Sequence, residues 1–353
     1  MAGDKPREAM FYEKLEDGRV RCLLCARRCV IPPGGRGFCG VRENRNGVLV
    51  SLVYGKLTSF NIDPIEKKPL FHVWPGAGVA SISTVGCNFR CKFCCNWVLS
   101  QSREIFGKTF TPEQVVELAK RLGAQGITYT YNEPTVFYEF MYETAKLATK
   151  KGLFNTIVTN GYMTPEAAAE LSKYLIAATV DLKGNANPDF YRKFMEVSDV
   201  EPIFEFLLEI KRRGVFIEIT DLVVPEYGDK LDDLRRLARW VVENLGEDTP
   251  FHIIRFFPEY MMIDHYPTPL ETLIEHYKAA KEEGLRYVYL GNVPGSPYEN
   301  TYCPECDACL IRRYGFEIIE CNITEDGRCP RCGTKIPLVG RYVPKAPRWA
   351  SLL

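Results

Sequence analysis

The sequence predicts an α/β fold in which a parallel sheet curves into a partial or full (β/α) barrel, with a small cysteine-rich module at each end. Between residues 78 and 291, short apolar runs alternate with amphipathic helical stretches. Strands that are apolar on both faces and alternate with helices are typical of parallel sheets, and six or more such units fit a barrel. The chain has 353 residues and 14 cysteines, and no cysteine lies between residues 95 and 303. We therefore expect an N-terminal cysteine-rich extension (1–75), a barrel core (76–295) and a zinc-ribbon or rubredoxin-like module (296–353).

The barrel core is predicted from seven strands that alternate with six helices. Thr111 followed by Pro112, and Thr164 followed by Pro165, are typical of helix starts, because threonine caps a helix and proline fits its first turn. In barrels of this kind the functional groups lie at the carboxyl ends of the strands. The predicted strands are 79–85, 126–131, 154–159, 176–182, 215–224, 251–257 and 286–290; the predicted helices are 112–122, 136–151, 165–174, 202–213, 231–245 and 270–283.

Composition excludes several functional classes. The 45 basic residues balance 45 acidic ones, so the chain as a whole is not a strongly basic nucleic-acid binder. Its apolar runs are too short to span a bilayer and its first residues are too polar for a signal peptide, which predicts a cytoplasmic protein with no membrane partner. In that compartment, cysteines at close spacing indicate metal ligands before disulfides.

The central cysteines have the spacing of a catalytic cluster site. Cys87, Cys91 and Cys94 follow the first predicted strand as Cys-x3-Cys-x2-Cys. Three thiolates on one loop can hold three irons of a [4Fe–4S] cluster and leave the fourth iron open. The alternatives are a zinc site or chance spacing, and the strand-then-loop context with Phe93 before the third cysteine disfavours chance spacing. Cys95 directly follows Cys94, and we expect it not to be a ligand.

This pattern resembles the signature of the radical S-adenosylmethionine (SAM) superfamily, whose barrel is the fold expected here. The resemblance implies that SAM chelates the open iron and that an external donor such as ferredoxin or flavodoxin supplies one electron. Cleavage of SAM then gives methionine and a 5′-deoxyadenosyl radical, which abstracts hydrogen from a substrate that the sequence does not identify.

Polar residues at successive strand ends resemble the SAM pocket of the pyruvate formate-lyase activating enzymes. Glu133 stands where radical SAM enzymes commonly have an acid for the SAM ammonium, although Tyr131 and Asn132 replace the usual glycines. Each candidate also has a simpler interpretation: a helix cap for Glu133, a surface ion pair for Asp181 and Lys183, or a structural histidine. Val158 replaces an acid that helps to bind a monovalent cation in the activating enzymes. The candidate SAM-binding residues are Tyr131, Asn132, Glu133, Thr159, Asn160, Asp181, Lys183, Val224, His252 and Arg255.

Both flanking modules carry metal-ligand spacing. At the C-terminus, two Cys-x2-Cys turns separated by a β-rich stretch are typical of a zinc or iron site. Cys309 and Cys321 are left over there, to pair as a disulfide, ligate a second metal or pack as small apolar residues. We expect a structural site that could also present substrate or a partner to the barrel mouth. The C-terminal candidates are Cys303, Cys306, Cys329 and Cys332; the N-terminal candidates for a metal are Cys22, Cys25, Cys29 and Cys39.

Taken together, the motifs resemble the radical SAM component of the AmmeMemoRadiSam system over nearly the whole chain. That resemblance implies Memo-type or Ammecr-type partner proteins, or a protein substrate. The chain departs from it at Cys95, where a glutamine is usual, and at Cys309 and Cys321. Two alternatives remain: an activase for a glycyl-radical enzyme, and a non-catalytic iron–sulfur or zinc protein that transfers electrons or binds nucleic acid.

Overall fold

The computed structural model describes residues 6–344, 346, 350–351 and 353. Its core is one mixed sheet covered by helices. The strands are β1 (Ser59–Pro64), β2 (Gly78–Ser83), β3 (Gly126–Tyr129), β4 (Phe154–Thr159), β5 (Ala177–Lys183), β6 (Phe216–Val223), β7 (Phe251–Arg255) and β8 (Val288–Gly291). The helices are α1 (Trp97–Ser100), α2 (Pro112–Arg121), α3 (Tyr138–Lys150), α4 (Pro165–Leu171), α5 (Pro188–Met195), α6 (Glu201–Arg212), α7 (Leu231–Leu245) and α8 (Leu270–Glu282).

The sheet is a partial barrel. Strands β2 to β8 are parallel and lie side by side in chain order, as predicted. Strand β1 pairs antiparallel with β2, from Ser59 opposite Ser83 to Pro64 opposite Gly78, and Ala350–Ser351 pairs with β1. Among the described residues, no pairing joins β8 to that outer edge. The sheet therefore extends past the predicted start of the core at residue 76, because 59–64 is itself a strand.

The predicted helix starts differ in how they are capped. Thr111 accepts a hydrogen bond from the backbone of Gln114, whose side chain accepts one from the Thr111 backbone in return. Thr164 precedes α4, but its side chain makes no capping hydrogen bond to the helix. Its hydroxyl donates instead to the Leu23 carbonyl at 2.9 Å. The hydroxyl thus ties the N-terminal extension to the barrel. Helix α5 was not predicted, although Asn187 before Pro188 caps it through two backbone N–H groups.

The N-terminal extension rests on the carboxyl-terminal edge of the sheet. It contains two small antiparallel sheets, built from Tyr12–Lys14, Val20–Cys22 and Val30–Ile31, and from Arg7–Glu8, Arg42–Arg45 and Val48–Ser51. A bridge joins Cys25 to Met163, and Ala26 donates its backbone N–H to the Tyr162 carbonyl at 3.0 Å. Both partners lie in the loop after β4, so the extension faces the end of the barrel where functional groups are expected.

The C-terminal module packs at the opposite end. Its strands are Thr301–Tyr302, Cys309–Tyr314 and Glu317–Cys321, and they share a second apolar core with Phe71 and Tyr289. His72 contacts both parts, because its ring lies 3.1 Å from the Pro337 carbonyl and 2.7 Å from the Tyr289 hydroxyl. The expectation that this module presents substrate to the barrel mouth is wrong, since it lies at the amino-terminal ends of β6 to β8. The described residues form no helix both long and apolar enough for a bilayer crossing.

Candidate functional site

The loop after β2 carries Cys87, Cys91 and Cys94 and is held from several sides. Gly86 donates its backbone N–H to the Leu99 carbonyl at 2.9 Å, and Arg90 donates to the Met195 carbonyl at 3.0 Å. Phe93 is buried against Phe190 of α5, with ring centroids 5.6 Å apart. The helix that the sequence did not predict therefore supports the cysteine loop.

The three cysteines are unpaired and partly buried. Burial raises the pKa of Cys87 well above its ordinary value, with Cys91 and Glu133 adding to the effect. Burial also raises the pKa of Cys91 and Cys94, although the Ser100 hydroxyl counteracts it at Cys94. Thiols in this environment become thiolates only beside a strong positive charge, and coordinated iron supplies one. The donor set therefore fits an iron–sulfur cluster.

Glu133 lies beside Cys87 at the end of β3 and is 4% exposed. Its Oε1 accepts three hydrogen bonds, from the backbone and hydroxyl of Thr135 at 3.0 and 2.5 Å and from the Thr159 hydroxyl at 2.7 Å. Its Oε2 accepts one, from the Asn160 backbone at 2.8 Å. Burial raises the pKa of the carboxyl, and these donors counteract the rise. Oε2 accepts only this one hydrogen bond and can therefore accept a further donor.

Tyr131 and Asn132, which replace the family glycines, build the loop before Glu133. Tyr131 has a φ of 68°, in the region that glycine favours. Its hydroxyl donates to Asp63 and accepts a bond from Asn61 of β1. The side chain of Asn132 donates to the Gly86 carbonyl at 2.9 Å and so fixes the start of the cysteine loop.

Two further strand ends place polar groups at the same edge of the sheet. After β4, Asn160 donates through its amide to the Asn88 side chain at 2.7 Å, directly beside Cys87. At the end of β5, Lys183 and Asp181 form an ion pair of 3.1 Å. Burial alone would lower the pKa of Lys183. Its interactions with Asp181, and with the cysteines Cys91 and Cys95, outweigh burial and raise that pKa. Lys183 is therefore a cation that faces the cysteine loop.

Of the other candidates, His252 points away from this group, whereas Val224 and Arg255 lie at the carboxyl ends of β6 and β7. His252 is buried and lies 2.7 Å from the carboxylate of Glu218, which also accepts the backbone N–H of His72 at 2.8 Å. Arg255 donates to the Thr268 carbonyl at 2.8 Å. Val224 is buried in a turn closed by Gly228, whose backbone N–H donates to the Val224 carbonyl at 2.8 Å. The side chain of His252 thus belongs to the network that holds the C-terminal module.

Sequence reasoning missed several residues of the site. Asn88 and Asn96 are inside the cysteine loop, and Asn96 donates to the Tyr131 carbonyl at 2.9 Å. Asp221 of β6 is buried beside Lys183, and burial raises its pKa to about 7 although Lys183 and the Asn185 backbone lower it. Asn88 could have been noticed from its place next to Cys87, whereas Asp221 has no motif around it.

The four C-terminal cysteines converge on one point. Their sulfurs all lie within 4.8 Å of one another, with Cys303 and Cys332 at 3.4 Å and Cys306 and Cys329 at 3.6 Å. A tetrahedral ion with bonds of about 2.3 Å requires sulfurs roughly 3.8 Å apart. This site can hold a single metal ion. Cys309 and Cys321 are also unpaired thiols, and Cys321 packs against the second core.

The four N-terminal cysteines line one cavity, together with Arg27, Arg42 and Asn88. They are unpaired, and Cys22 is buried. Because Asn88 follows Cys87, this cavity adjoins the central cysteine loop.

Comparison with known proteins decides the family. The model of the radical SAM superfamily matches residues 81–241, from β2 into α7. Protein MJ1227 of Methanocaldococcus jannaschii, provisionally named a glycyl-radical enzyme activating enzyme, is 30% identical over 48% of this chain and 70% of its own length. The chain belongs to the radical SAM superfamily.

Two other relatives extend the comparison of this radical SAM protein. The uncharacterized protein MJ0808 of Methanocaldococcus jannaschii is 50% identical over 94% of this chain and 99% of its own length. A pyruvate formate-lyase-activating enzyme of Clostridium pasteurianum is 25% identical over 48% of this chain and 73% of that enzyme. Membership in the radical SAM superfamily implies SAM, an iron–sulfur cluster and a reductant, while the homology to activating enzymes covers about half of the chain.

Proposed function

We propose that the protein is a radical SAM enzyme whose cluster is [4Fe–4S] and is held by Cys87, Cys91 and Cys94. The observation that carries this proposal is the set of three unpaired thiols on one loop at the carboxyl end of β2, with the buried carboxylate of Glu133 beside Cys87. When bound, the cluster supplies the electron that splits SAM into methionine and a 5′-deoxyadenosyl radical, which abstracts hydrogen from the substrate. The unpaired cysteines support a cytoplasmic, reducing setting.

In this proposal the residues around the cysteine loop bind and orient SAM. Glu133 accepts a hydrogen bond from the SAM ammonium at its remaining Oε2 position, and the charge of the carboxylate favours that cation. Asn160 and Thr159 hold the carboxylate in place from β4. Lys183, fixed by Asp181, offers a donor to the carboxylate or ribose of SAM.

We also propose that the C-terminal tetrad holds one structural zinc ion. Four thiolates leave no open position on a tetrahedral ion, so the site supports folding and not catalysis. The tetrad contributes to a small core that also contains Leu310 and Ile336. A core of this size needs additional stabilisation, which a bound metal provides.

A polypeptide substrate is the second candidate, as for a glycyl-radical activase. An exposed apolar surface lies next to the cysteine loop, where the Trp97 and Tyr260 rings stack at 5.1 Å and Met261 and Ile263 are 62% and 67% exposed. Exposed apolar patches of this kind mark interaction sites. The relatives named as activating enzymes support this candidate, and Memo-type or Ammecr-type proteins are the first partners to test.

The test of the proposed function is SAM cleavage. Anaerobically reconstituted protein with dithionite is expected to convert SAM to 5′-deoxyadenosine and methionine, and Cys91→Ala is expected to lose both this activity and the visible absorption of the catalytic cluster. Cys95→Ala is the matched control, since the proposal gives Cys95 no iron. Normal cleavage by Cys91→Ala would refute the ligand assignment.

A further inference from the structure

Four cysteines of the N-terminal extension, Cys22, Cys25, Cys29 and Cys39, line one cavity. Cys22 ends the strand Val20–Cys22, and its backbone N–H donates to the Cys29 carbonyl at 2.9 Å. The backbone N–H of Phe38 points to the Cys29 sulfur at 3.5 Å, which brings Cys39 to the same place. Local backbone structure therefore directs four thiols from two separate loops towards one space.

Three polar donors at this cavity lack partners. Arg27 Nη2, Arg42 Nε and Asn88 Nδ2 are buried and have no hydrogen-bond partner among the residues that the structure describes. A buried donor without a partner costs about 1–3 kcal/mol, so three at one cavity call for an explanation. Two of these donors belong to guanidinium groups, and although Arg42 also forms a buried ion pair with Glu139, both groups still offer hydrogen bonds to an occupant that accepts them.

The spacing of the thiols is wider than a single tetrahedral ion requires. Within the described part of the chain, the C-terminal tetrad is the only set of three or more ligand atoms that all lie within 4.8 Å of one another. The N-terminal sulfurs are more widely spaced, as are those of Cys87, Cys91 and Cys94. A multi-iron cluster holds its thiolates farther apart than one tetrahedral ion does. Its sulfides accept hydrogen bonds, which suits the donors of Arg27, Arg42 and Asn88.

We propose that Cys22, Cys25, Cys29 and Cys39 hold a second iron–sulfur cluster, and that this cluster passes electrons to the one at Cys87, Cys91 and Cys94. The site is argued from the N-terminal extension itself, whereas the electron-transfer role rests on the proposed function. Four thiolates complete the cluster and leave no iron for SAM or substrate. A closed cluster can still accept and donate an electron, which is the role proposed here.

Hydrogen bonds connect the two sites. Arg27 donates from Nε to the Asn88 carbonyl at 2.9 Å. Arg90 donates to the Cys87 carbonyl at 2.9 Å and also to the carbonyl of Phe38, the neighbour of Cys39. An electron thus has a path through hydrogen-bonded groups between the two sets of cysteines.

The electron balance is that of a one-electron relay. A low-potential carrier such as reduced flavodoxin or ferredoxin loses one electron, and the N-terminal cluster gains it. That electron then passes to the catalytic cluster, which uses it to break a carbon–sulfur bond of SAM. Each SAM cleaved therefore consumes one electron from the carrier.

The experiment uses full-length protein reconstituted with iron and sulfide under anaerobic conditions. The variant with Cys87, Cys91 and Cys94 all changed to Ala is expected to retain iron, sulfide and an electron paramagnetic resonance signal after reduction that SAM does not alter. Loss of all iron and sulfide from this variant, or binding of zinc alone, would overturn the second cluster while leaving SAM cleavage by the unmodified protein intact.

The relay is tested with Cys29→Ser, and with Cys39→Ser in case the first variant fails to fold. Each is expected to keep the SAM-responsive signal and cleavage driven by dithionite, but to lose cleavage driven by reduced flavodoxin. Cys309→Ser is the matched control and should retain both. Flavodoxin-driven cleavage by Cys29→Ser at the rate of the unmodified protein would overturn the relay. If the unmodified protein failed to cleave SAM with dithionite, the proposed function and the relay would fail, while a cluster in the triple variant that Cys29→Ser removes would still establish the site.

Discussion

Glu133→Gln separates the charge of this side chain from its hydrogen bonds. Oε1 accepts three donors and Oε2 accepts only the Asn160 backbone, so the glutamine carbonyl is expected to occupy the Oε1 position. The new NH₂ group then faces the Asn160 N–H, and one hydrogen bond is lost. An unsatisfied buried donor costs about 1–3 kcal/mol, which sets the expected loss in the free energy of unfolding.

The effect on SAM binding is expected to be separate from that loss. The substitution removes the remaining acceptor on Oε2 and the negative charge that favours the ammonium. A hydrogen bond to a charged group contributes about 1.5–3 kcal/mol, so the Kd for SAM should rise about tenfold to a hundredfold. Iron content should stay unchanged, because the cysteine loop keeps its contacts through Asn132 and Gly86.

The assay is equilibrium binding of SAM to reconstituted protein. The iron content and the thermal unfolding of each variant are measured in parallel. Thr135→Val is the matched control, since it removes one donor to Glu133 and leaves the carboxylate charge in place. It should lose about 1 kcal/mol of stability and little SAM affinity. If Glu133→Gln bound SAM with an affinity within twofold of that of the unmodified protein, the carboxylate would serve only to hold the loops after β3 and β4 together. An equal loss of affinity in Thr135→Val would show that loop geometry, and not charge, controls binding.

Three other predictions follow from the structure. Lys183→Met should lower SAM turnover by about a hundredfold without changing iron content, because it removes a cation beside the cysteine loop, whereas the exposed Lys211→Met should not. Burial lowers the pKa of His72 to about 4 from 6.5, so its contribution to stability is complete above pH 6.5 and is lost as the pH falls towards 4. The loss is about 3 kcal/mol, and His72→Gln should flatten the dependence of the unfolding free energy on pH in this range. Protein purified before reconstitution should contain one zinc per chain, and Cys332→Ser should lower both the zinc content and the temperature at which the C-terminal module unfolds; unchanged zinc in that variant would contradict the tetrad.

Much of the barrel could be predicted from sequence because its signal is local. Strand β4 and helix α7 have the predicted bounds, since apolar periodicity and polar breaks mark both of their ends. Strand β1 was not predicted, because its pairing with β2 is antiparallel and its sequence lies before the first motif. Helix α5 was missed because it is short and follows three residues, Gly184, Asn185 and Ala186, that all have positive φ.

The site was predictable as far as its motifs reach. The cysteine loop and Glu133 come from spacing and from the order of strands, and the structure brings them together. The position of a residue on a strand did not predict which way its side chain points. His252 was predicted to bind SAM, but its side chain contacts Glu218. Its partner Glu218 is 34 residues away in sequence, and their 2.7 Å contact depends on the register of β6 and β7. A buried acid with no motif around it gives no sequence signal for such a pair.

The candidate metal sites at the two ends of the barrel differ in their surroundings. At the carboxyl-terminal edge, the N-terminal extension closes over the cysteine loop through Arg27 and Arg90, and the thiols there are widely spaced among charged groups. At the amino-terminal edge, the tetrad is compact and its neighbours are apolar residues of the second core. A tight, apolar setting suits an ion without redox chemistry, and a charged setting beside the proposed SAM pocket suits groups whose charge changes during turnover. Loss of the tetrad metal should therefore act on folding, through His72 and Glu218, before it acts on SAM cleavage.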